Sequence, residues 1–170
     1  GLTCVVLRPT LMFGWFDRKH FGWLANFMSK TPIFPSPGHG NYTRQPLYAG
    51  DFCDIIIASM QQRIAGECYN ISGKETIGYS DIIRQIKAAT GSYSLLLNIP
   101  YRLFYALLWV YAIFDRNPPF TTTQLDALVI DEVFEDIDWE GIFGVRATPV
   151  SQAINETFTD PVYSKVRLRF

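Results

Sequence analysis

The sequence is poor in the residues that build metal centres and disulfide frameworks. Its 170 residues include three cysteines and two histidines, and no two cysteines form a Cys-x-x-Cys pair. Because zinc sites need Cys and His ligands at short spacings, the sequence predicts no metal site. An odd cysteine count argues against full pairing. Cys4, Cys53 and Cys68 lie in apolar segments, which predicts buried thiols and a reducing, cytoplasmic setting.

The chain also lacks an excess of charge of either sign. Lys and Arg number 15 against 16 for Asp and Glu, and the net charge is -1. Proteins that bind nucleic acid concentrate positive charge on one face to attract phosphates. We therefore expect no nucleic-acid partner.

A third absence is a long apolar run. The longest, Leu103 to Phe114, has 12 residues, whereas a membrane-spanning helix needs about 20. The run is apolar on every face of a helix, so it must be covered by something. Packing in the core is the expectation, and contact with a partner protein or a membrane surface is the alternative.

The composition suits a globular domain, since 48% of the residues are hydrophobic and 15% aromatic. The predicted order of strands and helices indicates an α/β fold. Continuous β-branched residues at 3–7 predict a strand buried on both faces of a parallel sheet, and 67–72 and 93–99 predict further strands. The segment 31–40, with three prolines, predicts a short extended piece and a turn. Apolar spacing and caps predict helices at 17–30, 51–63, 76–90, 100–114, 123–130, 139–143 and 149–158. Asp17 and Thr148 are the expected caps of the first and last, Ile55, Ile56 and Met60 of the second are expected to face inward, and 117–123 is expected to stop the fourth.

Two motifs stand where ligands bind in such folds. The first predicted strand ends in Leu7-Arg8-Pro9-Thr10 and is followed by Gly14. Ligands of open α/β sheets bind beyond the carboxyl ends of strands. The second motif runs from Arg44 to Asp51 as RQPLYAGD. A guanidinium offers a planar fork of donors that matches phosphate oxygens, and Asp51 is interpreted as a helix cap rather than a catalytic acid.

Together these motifs resemble the extended short-chain dehydrogenase/reductase family of NAD-dependent epimerases and dehydratases. The resemblance implies that Pro9, Thr10 and Leu11 lie against the nicotinamide end of bound NAD or NADP. It also implies that Arg44 binds the diphosphate part of a nucleotide-sugar, that the neighbouring Gln45 belongs to the substrate site, and that Phe34 packs against the substrate's base. The implied fold is the carboxyl-terminal part of a Rossmann-like domain, with the cofactor-binding half missing.

Several family features are absent or altered. The sequence has no Gly-x-x-Gly-x-x-Gly turn and no Tyr-x-x-x-Lys pair, so no catalytic residue is assigned. Leu11 replaces the family's asparagine, and Gln45 with Pro46 replaces an acidic and aromatic pair. These departures resemble the divergent branch that includes relatives of the accessory subunit of respiratory complex I.

We therefore expect residues 1–160 to be the substrate-binding portion of an epimerase, dehydratase or related oxidoreductase, inert as a fragment and completed by its own missing amino-terminal half. Residues 161–170 form a basic tail, either a strand or disordered. One alternative is a non-catalytic protein of this fold that docks through the aromatic helix. Another is a stand-alone binding module, which would form a homodimer through its open strand edge.

Overall fold

The computed structural model describes residues 4–114, 122–135 and 137–165. Strands and helices alternate along much of the chain, as the sequence predicts for an α/β fold. The strands are β1 (Val6–Pro9), β2 (Met12–Phe13), β3 (Ile33–Pro37), β4 (Thr43–Arg44), β5 (Leu47–Tyr48), β6 (Cys68–Ile71), β7 (Ile77–Gly78) and β8 (Leu95–Ile99). The helices are α1 (Phe21–Lys30), α2 (Ala49–Gln61), α3 (Tyr79–Thr90), α4 (Tyr101–Phe114), α5 (Thr122–Leu128), α6 (Trp139–Phe143) and α7 (Val150–Thr159). A 3₁₀ turn covers Tyr163–Lys165.

The described strands pair two by two. The pairs β1–β6, β2–β5 and β3–β8 are parallel, and the pair β4–β7 is antiparallel. In the first pair Val6 lies opposite Cys68 and Pro9 opposite Ile71. Parallel pairing of strands separated by a helix is the arrangement of βαβ units, so β1, α2 and β6 form one such unit.

Strand β3 is longer and more regular than the expected short piece and turn, despite its prolines. The amide of Gly38 donates to the carbonyl oxygen of Ile99. Because donors alternate along a strand, Pro35 and Pro37 occupy positions whose amides would face away from β8. The missing N–H groups therefore cost the pairing nothing. The turn expected at Gly38 and Gly40 is confirmed by φ values of 60° and 67°.

The larger hydrophobic cluster lies among α1, α3 and α7. Helix α3 buries Ile82, Ile83 and Ile86 on one face and ends at Gly91, whose φ of 64° is the left-handed conformation expected after a helix. Helix α1 begins four residues after Asp17, whose carboxylate accepts the amides of Phe21 and Gly22. Asp17 therefore caps the helix as predicted, although from outside it.

A smaller cluster joins α2 to β6 and α6. It buries Leu47, Ile55, Ile71, Trp139 and Phe143. The indole nitrogen of Trp139 donates to the carbonyl oxygen of Ser72 at 2.9 Å, so the buried ring keeps its polar group satisfied. The single turn predicted at 139–143 is confirmed with the same bounds.

Three expectations about burial are wrong. Strand β1 is not covered on both faces, since Val6 is 45% exposed and the strand edge away from β6 has no partner within the described part of the chain. The cysteines are exposed. Ile56 and Met60 of α2, expected to face inward, are exposed beside Ile57. An apolar pattern shows which face of an element would gain stability from burial, but a neighbouring element must pack on that face to bury it.

The aromatic helix α4 departs from the expected core packing. Phe104 is buried, but six other apolar side chains are exposed: Leu103, Tyr105, Leu107, Trp109, Val110 and Tyr111. Among the described residues no helix is both long and apolar enough to cross a membrane. The helix stop predicted at 117–123 falls mostly outside the described residues, as does the second half of the basic tail.

Candidate functional site

A large cavity lies beside the start of α1, with Leu11, two residues beyond the end of β1, in its wall. Its volume is about 630 Å³, within the range of small-molecule sites. One part of its wall is apolar and comprises Leu11, Phe21, Trp23 and Leu24. A second part comprises the cationic Arg18 and Lys19 with His20, and the rest comprises Arg44, Tyr79, Ile82, Ala127, Leu128 and Glu132. The cavity thus combines an apolar wall with a group of positive side chains.

Arg44 is part of this wall, but its donors are committed to the protein. It is only 4% exposed. Its Nη1 donates to the carbonyl oxygens of Thr43 at 2.8 Å and Ile130 at 2.7 Å, and its Nη2 donates to that of Leu128. Its Nε lies 3.6 Å from a carboxylate oxygen of Glu132. Arg44 therefore binds the end of α5 and the segment that follows it.

The segment after α5 is fixed by further bonds to the strand that carries Arg44. The amide of Thr43 donates to the Asp131 carboxylate at 2.6 Å, and the amide of Glu132 donates to the Thr43 carbonyl oxygen at 3.0 Å. The amide of Phe134 donates to the side-chain oxygen of Gln45 at 2.7 Å. One cavity wall is thus built from two parts of the chain far apart in sequence.

A second, smaller cavity of about 210 Å³ adjoins the first. The two share Trp23, Tyr79 and Leu128 as lining residues. The remaining walls are aromatic or aliphatic and comprise Phe27, Phe34, Pro35, Pro37, Phe104, Leu108 and Tyr111. We call this space the apolar chamber and the larger cavity the cationic chamber.

The three residues expected beside a nicotinamide lie at the end of β1. Pro9 is exposed, and the amide of Thr10 donates to the carbonyl oxygen of Ile71 at 3.0 Å. The Thr10 hydroxyl is buried and has no hydrogen-bond partner among the described residues. Leu11 lines the cationic chamber with Arg44. Pro9 and Thr10 line neither chamber, so the structure separates them from the substrate candidates.

The remaining predicted substrate residues are divided between two places. Phe34 lies in the apolar chamber, edge-on to Phe27 with ring centroids 5.6 Å apart. Gln45 is buried outside both chambers, where its amide nitrogen donates to the Gly73 carbonyl oxygen at 2.7 Å. The nitrogen and the oxygen of the Gln45 side-chain amide both bond to backbone groups. Gln45 thereby supports the wall of the larger cavity.

Asp51 lies within the first turn of α2 and does not cap it. Its carboxylate accepts the amide of Thr148 at 3.0 Å and the Thr148 hydroxyl at 2.6 Å. The expectation that Asp51 and Thr148 cap their own helices is therefore wrong, because each is the other's partner across 97 residues. Burial raises the pKa of Asp51, and the two bonds from Thr148 partly oppose that rise.

Sequence reasoning missed the residues shared by the chambers. Trp23 stands on the flank of α1 rather than on its buried face, and Tyr79 is the first residue of α3. Burial raises the pKa of the Tyr79 phenol, which keeps it neutral. The sequence signal that pointed to Trp23 was its spacing from Phe27, one helical turn along α1. In the structure the two rings are stacked, with their centroids 5.3 Å apart.

Comparison with known proteins shows likeness at the level of structure. No family model matches the chain, and no curated protein matches it in sequence. Solved structures do match. The UDP-glucuronic acid 4-epimerase of Bacillus cereus, in complex with UDP-glucuronic acid and NAD, is 20% identical with a TM-score of 0.60 over 91% of this chain and 43% of its own.

Two further structures are similar to the same degree. The UDP-glucose 4-epimerase of Thermotoga maritima, with UDP-glucose, is 15% identical with a TM-score of 0.64, covering 92% of this chain and 45% of its own. The dTDP-glucose 4,6-dehydratase of Bacillus anthracis, in complex with NAD, is 17% identical with a TM-score of 0.57, covering 90% and 42%.

The chain has the Rossmann-like α/β fold of these epimerases and dehydratases. It spans less than half the length of the structures it matches. At such identities the likeness concerns the fold alone, and function must be argued from the site. The expected Rossmann-like α/β fold is therefore confirmed, whereas the expectation that the chain is the carboxyl-terminal part of such a protein stays a prediction.

Proposed function

We propose that this chain is the substrate-binding portion of an NAD(P)-dependent epimerase, dehydratase or related oxidoreductase. The observation that carries the proposal is the cationic chamber, whose wall includes Leu11, just beyond the carboxyl end of β1, and Arg44. In a Rossmann-like sheet this is where ligands bind. The substrate would be a nucleotide-sugar or a related anionic molecule, since Lys19 and His20 face the chamber.

The cofactor would approach at the end of β1. The buried, unpartnered hydroxyl of Thr10 is an orphaned polar group there, and a nicotinamide carboxamide is a suitable partner. NAD or NADP would supply the hydride chemistry, and we assign no catalytic residue in this chain. The pyrophosphate would be held elsewhere, because this sequence has no glycine-rich turn.

The open side of the β1–α2–β6 unit supports a further part of the proposal. Unpaired strand edges invite pairing, and the exposed side chains of Val6, Ile56, Ile57 and Met60 form apolar surface on the same unit. We propose that the cofactor-binding half of the same protein covers them.

The proposal is tested on the full-length gene product. With NAD or NADP present, UDP-glucose, UDP-glucuronic acid and dTDP-glucose are titrated and binding is followed by calorimetry. Lys19→Gln should weaken binding about tenfold through the loss of one charge-assisted contact, and Lys30→Gln at the other end of α1 should have no effect. Arg44 is unsuited to this test because its loss disturbs the wall. Absence of nicotinamide binding by the folded protein would contradict the proposal.

A second candidate function rests on the outer face of α4. Its Trp109 is 59% exposed within a run of exposed apolar side chains, and patches of this kind mark interaction sites. In this alternative the protein is non-catalytic and docks through α4. Trp109→Glu should abolish association measured by sedimentation, while Tyr93→Glu, an exposed aromatic outside the helix, should not. Unchanged association in both variants would exclude α4 as a docking surface.

A further inference from the structure

The two adjoining chambers differ in the chemistry they offer a ligand. The apolar chamber is lined by rings and aliphatic side chains, and the indole N–H of Trp23 and the hydroxyls of Tyr79 and Tyr111 are the hydrogen-bonding groups among its lining side chains. A site built to read a nucleobase needs placed polar partners for the ring nitrogens and carbonyl oxygens. These walls suit hydrocarbon better than a base.

The size of the apolar chamber limits what it can hold. A water molecule takes up about 30 Å³ of liquid, and a methylene group is of similar size. The volume of about 210 Å³ therefore accommodates roughly six to eight carbon atoms. A short alkyl chain or one substituted ring fits this space.

The cationic chamber supplies the complementary end. Arg44 is paired with Glu132 and bound to backbone carbonyl oxygens. Lys19 and His20 are exposed at the chamber wall, and their amides are fixed by the carboxylate of Asp17 at 2.9 and 3.0 Å. An anionic group in this chamber would therefore meet Lys19 and His20.

We propose that the ligand of this joint site is an anionic amphiphile, with a phosphate or carboxylate head in the cationic chamber and an apolar tail of roughly six to eight carbons in the apolar chamber. The inference rests on the proposed function, because it takes the cavity to be the substrate site. It selects the related oxidoreductase over the nucleotide-sugar enzyme. Trp23, Tyr79 and Leu128, which line both chambers, would surround the bond between head and tail.

The test is a chain-length series on the full-length protein. Butyl, pentyl, hexyl and octyl phosphate are titrated below their micelle concentrations and binding is measured by calorimetry, with UDP-glucose in a parallel arm. Each buried methylene should tighten binding about fourfold, so octyl phosphate should bind about 200-fold more tightly than butyl phosphate. Decyl phosphate should gain little more, because the chamber is then full.

Two matched pairs of variants locate the ends of the ligand. Leu108→Trp fills the apolar chamber and should reduce the octyl-to-butyl ratio below about tenfold, whereas Leu107→Trp, on the exposed face of the same helix, should leave the ratio unchanged. Lys19→Gln should weaken every alkyl phosphate equally and preserve the ratio. Lys30→Gln should change neither quantity.

The failures of the two proposals are distinguishable. Binding of UDP-glucose without any dependence on alkyl chain length would overturn the amphiphile and leave the proposed function standing. Binding of octyl phosphate only above its micelle concentration, weakened equally by the Leu107 and Leu108 variants, would place the apolar contact on the outer face of α4 and also overturn it. If neither ligand binds the folded protein, both proposals fail.

Discussion

Helices α2 and α3 contain the same tripeptide, but they bury its side chains to different extents. Asp54-Ile55-Ile56 lies in the middle of α2, and Asp81-Ile82-Ile83 lies in the first half of α3. Helix α3 buries both isoleucines because α1 and α7 pack on it from two sides, whereas α2 contacts β5 and α6 and buries only Ile55. Equal local sequence therefore has unequal energetic value, according to the neighbours that the fold supplies.

The largest effect on stability should come from Ile83, the second isoleucine of the tripeptide in α3, and Ile56 at the matching position in α2 is its control. Ile83→Ala should lower the free energy of unfolding by about 2–5 kcal/mol, because it leaves a cavity between packed helices. Ile56→Ala should cost less than about 1 kcal/mol, since its side chain is 38% exposed. Urea denaturation of both variants measures the difference, and equal losses would show that α2 is as well covered as α3.

A smaller effect is expected where Arg44 fixes the chain beside α3. Arg44→Lys should lower the free energy of unfolding by about 1.5–3 kcal/mol, because lysine cannot reach all the carbonyl oxygens that the guanidinium bonds. Hydrogen exchange at the amides of Glu132 and Phe134 should accelerate as the segment loosens. Arg84→Lys, at an exposed ion pair with Asp81, is the control and should be neutral. Unchanged exchange in the Arg44 variant would refute the wall assigned to it.

The link between the two regions is the contact of Asp51 in α2 with Thr148 before α7. Thr148→Val removes the hydroxyl bond to a buried carboxylate and keeps the backbone amide bond. The change should cost about 1.5 kcal/mol in thermal unfolding. Thr159→Val, whose hydroxyl bonds only its own helix, should cost little. Similar losses for both would mean that the tie between α2 and α7 adds no stability.

The same contact predicts a pH dependence. The pKa of Asp51 is raised in the folded chain above its usual 3.8, so the folded state binds the proton more tightly than the unfolded state. Its stabilising contribution is complete below 3.8 and is lost as pH rises through the raised value. Relative to Asp51→Asn, the wild-type chain should gain stability on acidification within that window. Parallel melting curves at every pH would contradict the burial effect.

The smallest change in stability is expected on the exposed strip of α2, which consists of the side chains of Ile56, Ile57 and Met60. Met60 is 74% exposed, so Met60→Lys should alter the free energy of unfolding by no more than about 0.5 kcal/mol. If the strip is an interface, the variant should nevertheless weaken association of the isolated chain, measured by sedimentation. Gln61→Lys, an exposed polar position beside it, is the matched control. A loss of stability in the Met60 variant alone would show that the strip is already packed.

Much of the fold follows from local patterns. The helix around Ile82, Ile83 and Ile86 with its glycine stop, and the turn of α6, depend on spacing and capping that a short window contains. The class of fold follows from the alternation of strands and helices. The site is less accessible to such reasoning, because each chamber wall combines residues from distant segments.

The sequence by itself determined which segments form the helices and the longer strands, since periodicity and capping act over a few residues. Only the tertiary structure decided that Arg44 binds the end of α5, that Asp51 and Thr148 are partners, and that Ile56 lies exposed while Ile83 is buried. The physical reason is that burial and hydrogen bonding are properties of surroundings. A guanidinium, a carboxylate or an isoleucine brings the same capacity to any fold, and the packing of distant elements decides how it is used.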